Sequence, residues 1–369
     1  MKNTKLKILI VSNPFGYGPT GQAIKLIAEL KKIFIEKQIK FKIIFAGSKL
    51  CLEIIENLKG ITLMEVDERN VTSLTKLIND IKDVSLCIGV QNRFIPSASI
   101  DLGIKCYFID GLAWFWNPYP KKFLIADRIL WTDFPNFNKK IDDRRVSIIG
   151  ELSSKVARNI TPRKEFFLLC LGGQENPLRK GLQENYLKLT HKVISDLSKI
   201  INKEIIVTLG KKACKYISEL PNQNGMVKYK SLNHSDNLKL FSSCKKFISI
   251  GGQSSTFEAL NSKVPIIYYL PSNLSQVEFI RKINITKMNW SNFMNINKSF
   301  YKLDEKKAID EIEKYSKNLL CDEKKQQKIV DHIVQQINGN IDVETQKIYR
   351  GVKRDGYKDV YNFIKKDLL

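Results

Sequence analysis

The sequence predicts an α/β protein of two domains, each built on a parallel β-sheet covered by helices. The chain has 369 residues, 43% of them hydrophobic, and this is more than a single core of roughly 100–200 residues needs. Short apolar runs alternate with longer amphipathic stretches, as in parallel sheets. The alternation stops in a polar, basic stretch at 153–164 and then starts again. We expect domains over 1–155 and 156–340, and a helical segment over 341–369 that packs back on the first domain.

The first half opens with Leu6–Ser12, a nearly continuous apolar run that predicts a buried strand. A loop rich in Gly and Pro follows, and after it a helix is predicted over Gly21–Gln38. Helical patterns also cover Ser48–Leu58 and Val71–Lys82. Further strands are predicted at Phe41–Ala46, Ile61–Val66, Leu86–Val90, Lys105–Ile109, Arg128–Trp131 and Val146–Ile149.

The second half repeats the pattern, starting with an apolar strand at Phe166–Cys170, a Gly-Gly turn and a helix over Glu184–Ile201. Four more strands are predicted at Glu204–Leu209, Met226–Lys230, Lys246–Ile250 and Pro265–Tyr269. Helices are predicted between and after them at Lys211–Glu219, Asp236–Ser243, Ser255–Asn261 and Gln276–Lys282.

Composition narrows the class of protein. A net charge of +23 favours polyanionic or phosphorylated partners, but the lysines are scattered, so a merely solvated basic surface stays open and nucleic acid is not expected. No apolar run reaches the roughly 18 residues of a membrane span, and the N-terminus predicts a strand rather than a secretory signal. Seven cysteines without a C-x-x-C pair predict reduced thiols in a cytoplasmic protein.

The strongest motif is F-I-S-I-G-G-Q-S-S-T-F-E, residues 247–258. A strand ends at two glycines, and a helix opens with Ser254, Ser255 and Thr256. Glycine lets the backbone approach a ligand closely, and a helix N-terminus with hydroxyl side chains suits a phosphate group. These residues, with Gly252, are predicted to bind a diphosphate.

Glu258 follows on the same helix. A carboxylate there can accept hydrogen bonds from both hydroxyls of a ribose, as acids do in dinucleotide-binding folds. The alternative is an ordinary helix start, with a Ser cap and an acidic first turn.

The spacing of Gly252, Ser255 and Glu258 resembles the donor-site signature of GT-B glycosyltransferases. The segment is similar to that of the lipid-linked N-acetylglucosaminyl transferases of peptidoglycan synthesis. This resemblance implies two Rossmann-like domains facing a cleft, with the nucleotide sugar held by the second domain. It implies phosphate contacts at Gly252 and Ser255 and a ribose contact at Glu258.

The resemblance extends to both sides of the motif. Val264-Pro265 matches the start of the next strand, although Lys263 stands where a Gly is usual. Gln276 matches a glutamine that contacts the donor sugar. The loop with Leu232 and Asn233 matches the segment that clamps the nucleotide base. Related epimerases carry similar motifs.

A second glycine turn, Gly172-Gly173, follows the first strand of the second half. In GT-B enzymes this loop approaches the diphosphate, so the resemblance implies a contact at both glycines. Arg179 and Lys180 would neutralise the leaving diphosphate. An ordinary turn with surface bases is the alternative.

In the same family, the loop after the first strand lines the acceptor side, which here places Gly16, Gly18 and Thr20 near the acceptor. That loop often ends in a histidine that acts as base. Here Gln22 lies nearby and the first domain contains no histidine. A histidine base is therefore in doubt.

Asp110 is the best remaining base, because it ends a predicted strand beside an aromatic run and can take a proton there. Trp114, in that run, can stack on a sugar or base, or pack between domains. Arg93 can grip an acceptor carboxylate or phosphate. A turn aspartate and a surface arginine are the alternatives.

These residues predict a glycosyltransferase that moves a sugar from a nucleotide diphosphate sugar, expected to be UDP-linked, to a small-molecule or lipid-linked acceptor. No D-x-D pair or zinc-spaced cluster occurs, so we expect no metal and no cofactor. A base at Asp110 would invert the anomeric centre, and a lipid-linked acceptor would bring peripheral contact with the inner membrane face. A weaker similarity points to cytosylglucuronate synthases. The rivals are an epimerase or hydrolase of the same fold and a non-catalytic polyanion binder.

Overall fold

A computed structural model describes residues 5–55, 58–134, 141–153, 163–175, 181–221, 224–283, 299–339 and 355–369. The chain forms two compact units. The first contains Met1–Ser153 and Gly351–Leu369, and the second contains Ser154–Arg350.

The first unit is built on a parallel sheet of seven described strands. Their spatial order is β3-β2-β1-β4-β5-β6-β7. The strands are β1 Leu6–Ser12, β2 Phe41–Gly47, β3 Thr62–Glu65, β4 Leu86–Val90, β5 Cys106–Asp110, β6 Arg128–Thr132 and β7 Val146–Ile149. The helices before residue 101 are α1 Gly18–Glu36, α2 Lys49–Ile55, α3 Val71–Ile81 and α4 Ile95–Ile100.

Both faces of the central strands of this sheet are buried, which explains their nearly continuous apolar runs. Ile8 and Ile10 belong to one core cluster, and the alternate residues Leu9 and Val11 belong to another. Because side chains alternate along a strand, one strand supplies both cores.

The second unit has a parallel sheet of five described strands in the order β10-β9-β8-β11-β12. The strands are β8 Lys164–Gly172, β9 Glu204–Leu209, β10 Val227–Lys230, β11 Cys244–Ser249 and β12 Ile266–Tyr268. The helices are α5 Glu184–Ile201, α6 Lys211–Ser218, α7 His234–Ser243, α8 Gln253–Asn261, α9 Leu274–Ile283, α10 Glu305–Leu320 and α11 Glu323–Asn338.

The last helix, α12 (Gly356–Leu368), packs on the first unit. Its apolar residues Tyr357, Val360 and Ile364 are buried in a core of that unit. At its end, Asp367 forms a bidentate ion pair with Arg128 of β6.

The α/β prediction with two parallel sheets is confirmed, while several boundaries move. Helix α1 begins at Gly18 rather than Gly21, because Pro19 is compatible with the first helical turn. Helix α4 was not predicted. Helix α8 begins at Gln253, so the hydroxyl residues lie inside it.

Candidate functional site

The two glycine turns of the second unit lie at the carboxyl ends of neighbouring strands. Strands β8 and β11 pair in parallel, with Cys170 opposite Ser249. The sheet order reverses between these strands, because β8 continues to β9 on one side and β11 to β12 on the other. In open α/β sheets, ligands bind outside the carboxyl ends of the strands at such a switch point.

Each turn contains a glycine in the left-handed region, Gly172 with φ +71° and Gly251 with φ +85°. A side chain at Gly251 would also collide with its surroundings. Its Cβ would lie 2.8 Å from the carbonyl oxygen of Gln276 and 2.9 Å from the side chain of Ile280. The turn therefore needs glycine both for its conformation and for the close approach of α9. Gly173 is buried beside the first turn, whereas Arg179 and Lys180 lie outside the described residues.

The N-terminus of α8 opens directly from the second turn. Gly252 is the N-cap, no side chain caps the helix start, and the first turn carries no acidic residue. An ordinary Ser cap with an acidic first turn is therefore not what the structure contains. Ser254 and Ser255 lie in this turn and are partly exposed. The positive end of the helix dipole is thus not neutralised by an acid in its own first turn.

The hydroxyl groups of Ser255 and Thr256 in this turn make different contacts. Ser255 Oγ donates to the carbonyl of Gly252 at 3.1 Å. Thr256 is fully buried, and its hydroxyl lies 3.0 Å from that of Ser249 and donates to the Gly252 carbonyl at 2.7 Å. Thr256 therefore fastens the helix start to the end of β11, and its hydroxyl faces protein.

Glu258 lies in the second turn of α8 and is buried. Its Oε1 lies 3.7 Å from Nε2 of His234, the first residue of α7. The nearby thiol of Cys170 is neutral, because burial, and to a lesser extent the charge of Glu258, raise its pKa to about 12. Glu258 is thus an acid at the switch point with an imidazole as its neighbour.

The start of α7 lies in the loop predicted to hold the base. The N-cap is Asn233, whose side chain accepts a hydrogen bond from the N–H of Asp236 at 2.9 Å. Its Nδ2 also donates to the Asp236 carboxylate at 2.8 Å. The Asn233 side chain is therefore occupied, and Leu232 beside it is half-buried.

Gln276 lies in the first turn of α9 and is partly exposed. Its Oε1 accepts hydrogen bonds from Ser272, at 2.7 Å from the backbone N–H and at 3.0 Å from the hydroxyl. Asn273 caps the helix by accepting from the Gln276 N–H at 3.0 Å. The close approach to Gly251 places this turn of α9 beside the second glycine turn.

In the first unit, Asp110 ends β5 and is 2% exposed. Its Oδ1 accepts from the N–H of Leu112 at 2.8 Å, and its Oδ2 accepts from the hydroxyl of Tyr119 at 3.0 Å. Burial and the charge of Asp110 raise the pKa of Tyr119, so its hydroxyl remains a donor. These contacts organise the loop after β5.

Trp114 is also buried in this loop. Its ring stacks on Phe134 with centroids 4.4 Å apart, and its indole N–H donates to the carbonyl of Gly111 at 3.1 Å. Trp114 therefore packs within the first unit. Phe115 and Trp116 are more exposed.

The loop after β1 has a left-handed glycine at Gly16, with φ +63°, and Gly18 begins α1. Thr20 is fully buried, with its hydroxyl 2.9 Å from that of Ser12. Arg93 is exposed, its guanidinium lies 4.9 Å from the ring centroid of Phe94, and no described carboxylate pairs with it. Of these residues, Arg93 is the one that offers a charge to solvent.

Two groups at the carboxyl edges of the sheets were given no role from the sequence. Ser272 belongs to no sequence motif, and its hydrogen bonds to Gln276 are seen only in the structure. Gln91 Nε2 donates to Gln22 Oε1 at 3.1 Å. Gly111 lies so close to both amides that a side chain at this position would collide with them. Strand-end position was the available signal for Gln91.

No protein-family model matches the sequence, and no curated protein matches it. Solved structures do match, and their fold is the two-domain GT-B fold. The spinosyn rhamnosyltransferase SpnG is similar over 98% of this chain and 100% of its own, with a TM-score of 0.63 and 10% identity. A second structure of SpnG contains thymidine diphosphate and has a TM-score of 0.55.

MurG of Acinetobacter baumannii is similar over 98% of this chain and 99% of its own, with a TM-score of 0.51 and 11% identity. MnaA of S. aureus, solved with UDP, matches 99% of this chain and 97% of its own, with a TM-score of 0.54 and 12% identity. UDP-N-acetylglucosamine 2-epimerases are among the neighbours as well. At these identities the likeness establishes the fold, and the GT-B prediction is confirmed.

No helix within the described ranges is long and apolar enough to cross a membrane.

Proposed function

We propose that this protein is a glycosyltransferase that takes a sugar from a nucleoside diphosphate sugar, UDP-linked, and transfers it to an acceptor bound by the first unit. One observation carries the proposal. Two glycine turns and the uncapped N-terminus of α8 meet at the switch point of the second sheet, with the buried acid Glu258 one turn further along. This arrangement offers donors to a diphosphate and an acceptor to a ribose.

In this proposal the diphosphate contacts the backbone of Gly172, Gly173 and Gly252, together with Ser254 and Ser255. Their N–H groups and the helix dipole stabilise the negative charge that grows on the diphosphate as the sugar leaves. The protein supplies this stabilisation itself, so the proposed transfer does not use a metal.

Thr256 supports the diphosphate site by holding the start of α8 against β11. The ribose binds Glu258, the base binds the loop backbone at Leu232 and Asn233, and the sugar contacts Gln276. Several neighbours of the same fold were solved with UDP or thymidine diphosphate, which supports a pyrimidine nucleotide.

On the acceptor side, Asp110 is assigned as the base that takes a proton from the attacking group, and direct attack would then invert the anomeric centre. Arg93 is assigned to an anionic group of the acceptor, because its charge is exposed. Gly16 and Gly18 would shape the acceptor loop. Acceptors of this kind are small molecules or lipid-linked sugars.

A thermal-shift titration with UDP, thymidine diphosphate and their sugars tests the donor site. A ligand at a hundred times its dissociation constant adds about 2.7 kcal/mol to the free energy of unfolding. Glu258→Ala should remove most of the shift while the ligand-free protein remains folded. Glu311→Ala, which removes a partly exposed acid of α10 that lies near Lys314, is the matched control. A chain that no nucleotide stabilises would contradict the proposal.

The neighbours that are 2-epimerases define a second candidate function. Incubation with UDP-N-acetylglucosamine and no acceptor discriminates between the two, since an epimerase releases an epimer or a free sugar. A transferase should leave the sugar nucleotide unchanged until an acceptor is added.

A further inference from the structure

The orientation of the Gln276 side-chain amide is fixed by its neighbours. Its Oε1 receives the backbone N–H of Ser272 at 2.7 Å and the hydroxyl of Ser272 at 3.0 Å. A backbone N–H can only donate a hydrogen bond, so the atom that faces it is the oxygen of the amide. The nitrogen, Nε2, therefore points away from Ser272.

Ser272 is itself held in place by two buried glutamines. Gln183 Nε2 donates to the Ser272 carbonyl at 3.1 Å, and Gln174 Nε2 lies 3.5 Å from the Ser272 hydroxyl oxygen. The Gln174 amide is oriented by the carbonyl of Leu171, to which it donates at 2.5 Å. The Ser272 hydroxyl donates to Gln276 Oε1, because an amide oxygen can only accept. All three side chains are more than nine-tenths buried.

The Nε2 group of Gln276 has no hydrogen-bond partner among the described residues, and the residue is partly exposed. The same helical turn packs against Gly251, whose Cβ would lie 2.8 Å from the Gln276 carbonyl oxygen. The backbone of this residue thus lies next to the turn to which the diphosphate is assigned, and its Nε2 is a donor that no described residue uses.

We infer that Ser272 is a positioning residue that locks the Gln276 amide, so that the site presents a hydrogen-bond donor to the sugar of the nucleotide. The sugar is then recognised through an oxygen that accepts, such as a hydroxyl or an acetamido carbonyl. This inference rests on the proposed donor site. It goes beyond that site by naming Ser272 as the residue that makes Gln276 offer a hydrogen-bond donor, and not an acceptor, to the sugar.

Calorimetric titration with UDP, thymidine diphosphate, UDP-glucose and UDP-N-acetylglucosamine tests it. The measured quantity is the ratio of the dissociation constant of UDP to that of each UDP-sugar. Ser272→Ala keeps the backbone N–H and removes the hydroxyl, so one of the two hydrogen bonds that orient the amide is lost. The ratio should then fall about three- to tenfold for at least one sugar, the range expected for one hydrogen bond. The affinity for UDP itself should change less than twofold. Ser272→Thr keeps the hydroxyl that Ser272→Ala removes, and should retain the ratio of the unaltered chain.

A double-mutant cycle separates positioning from a structural effect. In a Gln276→Met background, Ser272→Ala should have no further effect on the ratio, because the amide it orients is gone. Ser275→Ala, which removes the neighbouring hydroxyl that bonds Asn273, is the control and should leave the ratio unchanged.

Three results would overturn the inference while leaving the donor site intact. The first is that Ser272→Ala weakens the binding of UDP and of the UDP-sugars by the same factor. The second is that the effects of Ser272→Ala and Gln276→Met on the ratio multiply in the double variant. The third is that Ser272→Ala leaves the ratio unchanged for both sugars. If neither UDP nor thymidine diphosphate binds the unaltered chain, the proposed function fails and the inference fails with it.

Discussion

The imidazole of His234 and the carboxylate of Glu258 lie 3.7 Å apart, Nε2 to Oε1, with side chains only 14% and 8% exposed. They come from the first turn of α7 and the second turn of α8, so the pair brings together the two loops assigned to the base and the diphosphate. The acid at the proposed ribose site is therefore held by contacts within the second unit.

This relationship predicts a ribose-specific effect of Glu258→Gln, which keeps the shape of the side chain and removes its charge. Hydrogen bonds to a charged group contribute about 1.5–3 kcal/mol, so UDP should bind at least tenfold more weakly. Thymidine diphosphate lacks the 2′-hydroxyl and should lose less affinity. Calorimetric titration of both nucleotides measures the difference. Equal losses of affinity for UDP and thymidine diphosphate would mean that Glu258 does not bind the 2′-hydroxyl of the ribose.

The second prediction concerns Gly251, in the glycine turn after β11. Gly251→Ala places a Cβ at 2.8 Å from the carbonyl oxygen of Gln276, in a backbone with φ +85°. We expect a loss of thermal stability and loss of the nucleotide-induced shift. Gly103→Ala is the matched control, because Gly103 has φ +65° but nothing within 4 Å of its Cβ position. It should cost only the conformational strain, about 1–2 kcal/mol, and keep the nucleotide shift.

The ion pair between Asp367 of α12 and Arg128 predicts that the free energy of unfolding depends on pH. The guanidinium of Arg128 and, to a lesser extent, the hydroxyl of Tyr107 lower the pKa of Asp367 to about 2. A lowered folded-state pKa stabilises the fold above the unfolded value near 4, and this contribution is lost as pH falls from about 4 to 2. Asp367→Asn should therefore destabilise the first unit by about 2 kcal/mol at pH 7 and have little effect near pH 2.

Chemical unfolding at several pH values measures this difference. Asp143→Asn is the control, since Asp143 also has a pKa of about 2 because of Arg145, but that arginine is 40% exposed and only two residues away. An exposed local pair contributes at most about 1 kcal/mol. Equal losses for the two variants would show that the contact between Asp367 and Arg128 does not anchor α12.

The central strands of the sheets were predictable because both of their faces are buried. A run such as Leu6–Ser12 is nearly continuous in apolar residues and has the length of a strand. Helix starts were less predictable. Helix α7 begins at His234 with Asn233 as its cap, two residues before the predicted start at Asp236, because several polar residues in a row can each cap a helix.

The candidate site was predictable only where glycine marks it. Gly252 and Glu258 stand in a recognisable spacing, whereas Ser272 is an ordinary serine in the sequence. Its importance comes from contacts with Gln174 and Gln183, about 90 to 100 residues away. Such long-range contacts depend on packing, and no local pattern encodes them. The roles assigned to Asp110 and Arg93 remain predictions.

The edge of the second sheet yields a final prediction. Among the described residues, strand β12 lies at one edge of this sheet, and the Gln336 side chain of α11 forms hydrogen bonds with that edge. Its Oε1 accepts from the N–H of Tyr268 at 2.8 Å, and its Nε2 donates to the Tyr268 carbonyl at 2.9 Å. Gln336→Met would leave both backbone groups buried without partners, which costs about 1–3 kcal/mol for each group. We expect a clear drop in the unfolding temperature of the second unit. Gln335→Met, on the exposed side of the same helix, should change it little, and similar temperatures for both variants would show that the amide does not protect the strand edge.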